Sequence, residues 1–145
     1  MLELLLLIEK AFVYGCIGIL IEVLFTGLGA IVHKDWNLPC KTYLWMFPIY
    51  GFTALALEGI SNALIWPFYL KAFVYVPVIY GVEALSGWTI KALIGRIPWD
   101  YQKSPWTPMG LINLKYAPFW LLLGMAFDPI TTFLTKMLHA LSLVA

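Results

Sequence analysis

The sequence predicts an all-α integral membrane protein, a bundle of four transmembrane helices with a structured aromatic loop before the last helix. Three observations predict it. Of 145 residues, 62% are hydrophobic and only 12% charged, whereas soluble domains carry about half apolar and about a quarter charged residues. Mean hydropathy is +0.86. The apolar residues fall into four runs, each near the ~20 residues that a helix needs to cross a bilayer core. The connections between runs are short, so residues 1–145 read as one transmembrane domain.

The first run covers residues 11–32. Before it, "LELLLLIEK" either extends the helix by two turns or lies in the interface, with Glu9 and Lys10 at the waterline. An acid stands where a signal peptide has a basic residue, and the apolar stretch runs too long, so this helix is expected to stay in the mature chain. The connection "HKDWNLPCKT" leads to the second run, 43–65. A tight "WPFY" corner at 66–69 leads to the third, 70–91, and the loop 95–112 to the fourth, 114–138. Prolines 48, 77, 118 and 129 fall inside or near these runs, and local kinks are expected there.

Four crossings put both termini on one face, A, and the first and third connections on the other, B. Face B carries Lys34, Lys41, Lys91, Arg96, Lys103 and Lys115, and face A carries Lys10, Lys71 and Lys136. The positive-inside rule then expects face B, with loop 95–112, in the cytoplasm.

Composition also excludes functions. Nine Lys and Arg against eight Asp and Glu leave no basic face to track phosphates, so no nucleic-acid partner is expected. No Walker-type phosphate loop occurs, so the chain is not expected to hydrolyse a nucleotide. Cys16 and Cys40 are too far apart for a redox or metal spacing, and His33 and His139 stand alone at opposite faces. No metal or cofactor is expected.

The residues that carry chemistry are acids inside the oil. Each run holds one: Glu22, Glu58, Glu83 and Asp128. A mid-membrane charge costs about 3 kcal/mol on insertion scales, so these side chains should face inward and find partners. Periodicity agrees, because Gly15, Gly18 and Glu22 share a stripe, as do Gly51, Glu58 and Asn62, and Tyr80, Glu83, Gly87 and Lys91. Gly15, Gly18, Gly51 and Gly87 would let helices approach closely. At about 1.5 Å of rise per residue, Glu22 and Glu83 lie roughly 12 to 15 Å from face B, and Glu58 and Asp128 about 20 Å. A column of carboxylates able to bind one ligand is the expectation, and such groups cannot all stay ionised in low dielectric unless a cation sits among them. Lys91, two turns beyond Glu83, is either its charge partner or a lysine that snorkels to face B.

The loop "RIPWDYQKSPWTPMGLI" has its own chemistry. Trp99, Tyr101 and Trp106 suit an aromatic belt at headgroup level. Asp100, four residues after Arg96, looks like a charge held by a partner, while prolines 98, 105 and 108 stiffen the loop. A rigid lid over the Glu22 and Glu83 end of the bundle is expected.

"PWDY" followed by "MGLINLKYAPFW", with "YGCIGILIEVLFTG", "FPIYG" and "YGVEALSG", resembles the transmembrane protein 229 family of animals. The same residues are similar to the bacterial CmpB-type family labelled ABC-transporter type IV membrane proteins. The resemblance runs from about residue 10 to 128 in unbroken order. It implies a small multi-helix membrane protein without its own ATPase, and it maps the family pattern onto Gly15, Gly18, Glu22, Pro48, Tyr50, Gly51, Glu58, Glu83, Gly87, Trp99, Asp100, Tyr101 and Gly110. Gln102 and Thr107 stand where the bacterial pattern has Ser and Asn.

Three functions follow as expectations. The first is a transporter or permease-like subunit that binds a cation or polar substrate, with Glu22, Glu58, Glu83, Asp128, Asp100, Tyr101, Trp99, Lys91 and Arg96 as ligand-binding residues. So narrow a bundle calls for a homodimer or a partner membrane subunit. The second is an intramembrane enzyme acting on a lipid, with Glu83 or Asp100 as acid or base; the lack of a nucleophile beside a base weighs against it. The third is a structural or assembly subunit of a membrane complex.

Overall fold

The computed structural model describes residues 2–102 and 104–142, all of them in helices, turns or coil. Lys103, one of the face-B cations, lies outside the described residues. The helices are α1 (Leu2–Val32), α2 (Met46–Ala63), α3 (Phe68–Ile94) and α4 (Ala117–Ser142), with single 3₁₀ turns at Pro108–Gly110 and Leu114–Tyr116. Three stretches, Glu3–Val32, Phe68–Ile94 and Leu114–Ala140, are long and apolar enough to cross a membrane. The chain is all-helical and built for a bilayer.

Helix ends differ from the hydropathy pattern for local reasons. "LELLLLIEK" continues α1 without a break, since Leu, Glu and Lys all favour helix. The second helix begins at Met46, not 43, because residues 40–42 run alongside α1 instead. There the Lys41 backbone N–H donates to Thr26 Oγ1 at 3.0 Å, and the Thr42 hydroxyl donates to the Glu22 carboxylate. Backbone outside a helical ladder needs such partners for its N–H groups. Asn113 caps the approach to α4, its carboxamide oxygen accepting the Lys115 N–H at 3.1 Å.

Two of the four prolines expected to kink helices start them. Pro48 and Pro118 sit in the first turns of α2 and α4, where the missing N–H has no intrahelical acceptor to lose. Pro77 and Pro129 do lie inside α3 and α4.

The chain divides into two compact units, residues 1–56 with 86–99, and residues 57–85 with 100–145. In the first, α1 packs on the start of α2 through glycines. A Cβ on Gly18 would come within 2.5 Å of Tyr50, and one on Gly51 within 2.5 Å of the Ala11 carbonyl oxygen. Phe12 meets Phe47 edge to face at 5.3 Å between ring centroids.

The second unit has an apolar core of Leu57, Tyr75 and Ile79, with Ile60, Val78, Trp120 and Phe127 against it. Ala72 and Tyr75 are fully buried, and Gly124 gives the room, its missing Cβ lying 3.3 Å from Ala72. This packing fixes the turns of α2, α3 and α4 around one polar centre.

Candidate functional site

Asp128 on α4 is the best-connected acid. Its Oδ2 accepts the Lys71 ammonium at 2.9 Å, and its Oδ1 accepts the Tyr75 hydroxyl at 2.7 Å and the Ser61 hydroxyl at 2.9 Å. Lys71 also donates to the Ser61 hydroxyl and carbonyl oxygens, each at 2.9 Å. All three ammonium hydrogens therefore have acceptors. The network joins the end of α2, the start of α3 and the middle of α4, and the two charged side chains are 11% and 18% exposed.

The electrostatics explain why both charges are present. A lone carboxylate in this setting would be left to hydrocarbon; a lysine in the first turn of its helix can bend inward and neutralise it. Removing one member of such a buried pair leaves an uncompensated charge, which costs about 3 to 5 kcal/mol.

Lys71, counted in the sequence among the basic residues near face A, is 9% exposed and committed to Asp128. A signal for it exists: a lysine inside an apolar run, with Tyr75 one turn on, obeys the same inward rule as an intramembrane acid. Ser61 and Tyr75 lack such a signal.

Glu22 belongs to the first unit. Its carboxylate accepts the Thr42 hydroxyl and that of Tyr50, so this acid anchors the connection between α1 and α2. Glu83 is 7% exposed on α3, within electrostatic reach of Tyr80. Glu58 is half-buried on α2. Among the described residues, no three of His, Cys, Asp or Glu stand close enough to hold a metal ion.

Loop residues find mostly local partners. Asp100 Oδ1 accepts the Gln102 backbone N–H at 2.9 Å, the turn that an Asp makes with the residue two places on. The Tyr101 N–H donates to the Gly110 carbonyl at 3.3 Å, and the Tyr101 ring meets Tyr116 edge to face. Gly110 has a φ of +70° and a Cβ there would lie 2.7 Å from Gln102 Cγ, so glycine fits this turn for two reasons. Asn113, 3% exposed, ties the loop down: its side-chain nitrogen donates to Ser104 Oγ, and its carbonyl accepts the Tyr80 hydroxyl at 3.1 Å. Trp99 is buried, whereas Lys91 and Arg96 are exposed.

Asp128 also lines an open cleft of about 470 Å³, together with Phe68, Pro129, Thr132, Phe133 and Lys136. Its size is that of small-molecule sites, about 300 to 1,000 Å³.

No solved structure matches this chain. A family model, described as "Putative ABC-transporter type IV", matches residues 11–144. That stretch takes in the glycine contacts of α1, the Lys71 and Asp128 centre, and the loop around Asp100. With nearly its whole length matched, the chain belongs to this CmpB-type family of membrane proteins.

Proposed function

We propose that this chain is the membrane-spanning subunit of a transport system, and that a polar substrate passes or binds at the Asp128 centre. The observation that carries this reading is the buried Lys71 and Asp128 pair, with Ser61 and Tyr75. Ionisable groups inside membrane spans are functional sites by default. Lys71 already neutralises Asp128, so the balance of charge favours a polar or dipolar substrate over a free cation.

All four helices cross the bilayer in this reading. At about 1.5 Å per residue, the 18 residues of α2 extend about 27 Å, close to a hydrocarbon core of about 30 Å. Leu57 and Ile60 of α2 share a core with Tyr75, Val78 and Ile79 of α3, and a corner of four residues, 64–67, joins the two helices. That geometry supports antiparallel neighbours. Transport against a gradient then needs energy from elsewhere, and a separate nucleotide-hydrolysing partner or a second copy of the chain completes the machine.

With Lys71 buried in an ion pair, face A keeps Lys10 and Lys136 as surface cations, and the positive-inside argument for a cytoplasmic face B gains weight. Trp36→Cys, in a chain with Cys16 and Cys40 replaced by Ser, checks this. A membrane-impermeant maleimide added to intact cells should leave the new thiol unmodified, and rapid modification would reverse the topology.

Flux tests the transport reading. Proteoliposomes with the wild-type chain are expected to pass radiolabelled glycine faster than empty vesicles, and Asp128→Asn is expected to remove most of the difference. Equal flux in wild type, Asp128→Asn and empty vesicles would reject glycine as substrate and leave the second reading, an assembly subunit. That reading has its own support, since full use of the Lys71 donors also suits a clamp between helices. A stoichiometric membrane partner retained by wild type and lost by Lys71→Met would favour it.

A further inference from the structure

The cleft beside Asp128 has a charge of its own. Asp128 is neutralised by Lys71 at 2.9 Å, and Lys136 is the other charged residue of the lining. The sum is one net positive charge, so the cleft attracts anions and repels cations. Thr132 offers no donor to a ligand, because its hydroxyl bonds the Asp128 carbonyl at 2.8 Å.

The positive charge and the apolar walls are arranged along the helix. Lys136 follows Asp128 by eight residues, about 12 Å of rise, and stands one turn from the end of a span that closes at Ala140. It therefore sits near a membrane surface, where phosphates are. Phe68 and Phe133, 47% and 63% exposed, line the cleft with Pro129. An acidic head at the mouth with an apolar chain running deeper is the orientation of a bilayer lipid.

We infer that this cleft holds an anionic phospholipid, with its phosphate on Lys136 and an acyl chain against Phe68, Pro129 and Phe133. The charge sum selects the anionic class, and the placing of Lys136 near the end of its span selects a lipid over a water-soluble anion. The inference goes beyond the transport reading and does not depend on it.

Native mass spectrometry tests it. The full chain, purified in detergent, is mixed with equimolar phosphatidylglycerol and phosphatidylcholine of identical acyl chains. Wild type is expected to retain phosphatidylglycerol about fivefold over phosphatidylcholine, the contribution of one lysine near a surface. Lys136→Gln should erase the preference and Lys136→Arg should keep it. Lys34→Gln, an exposed lysine outside the cleft, should also keep it. Equal retention of both lipids by wild type, an undiminished preference in Lys136→Gln, or an equal loss in Lys34→Gln overturns the proposal. Retention of oleate in preference to phosphatidylglycerol overturns it as well, by making the occupant a single-chain acid.

Discussion

At the residue scale, the chain shows what a charge inside a membrane requires. Asp128 has a cation and two hydroxyls, and Glu22 has two hydroxyls. The four acids Glu22, Glu58, Glu83 and Asp128 were legible because they interrupt long apolar runs; Glu83 is buried, Asp128 is 18% exposed, and Glu22 and Glu58 are half-buried. The sequence did not reveal their partners. Thr42 and Tyr50 are 20 and 28 residues from Glu22, and Ser61 and Lys71 are 67 and 57 from Asp128, separations across which periodicity carries no information. Asp100, read as a charge held by a partner, uses its carboxylate to close its own turn, and Arg96 is exposed. Tyr75→Phe removes one hydrogen bond to Asp128 while keeping the ring contact with Phe127. It should lower stability in detergent by about 1.5 to 3 kcal/mol, the range for a hydrogen bond to a charged group. A thermal unfolding midpoint unchanged from wild type would show that the hydroxyl contributes nothing to Asp128.

At the element scale, hydropathy located the helices well and their ends poorly. The third run, 70–91, lies inside α3, and the fourth, 114–138, lies almost wholly in α4 and the turn before it. Ends are set by backbone partners, such as Thr26 holding Lys41 and Asn113 capping the entry to α4, which mean hydropathy does not register. Glycines separate into two classes for the same reason. Gly51 touches the α1 backbone, so Gly51→Ala must push the helices apart or distort one of them, a cost of about 1 to 3 kcal/mol. Gly59 has nothing within 4 Å of its absent Cβ, so Gly59→Ala should stabilise by about 0.5 to 1 kcal/mol through helix preference. Unfolding midpoints of the two variants should shift in opposite directions, and a shared sign would contradict the packing between α1 and α2.

At the scale of the whole molecule, an all-helical chain with three clear spans carries a saturated charge network where soluble proteins place hydrocarbon. Composition was enough to announce the membrane, and the ordered motifs were enough to announce the family. The lysine that completes the centre escaped, because charge counting treats every basic residue near a helix end as a surface cation. Lys71 and Asp128 act as one unit, and a double-mutant cycle in detergent measures that directly. Lys71→Met and Asp128→Asn should each destabilise by about 3 to 5 kcal/mol, and the double variant should cost much less than their sum. Costs that add, within about 0.5 kcal/mol, would mean that the two charges do not depend on each other, and the centre described here would not exist.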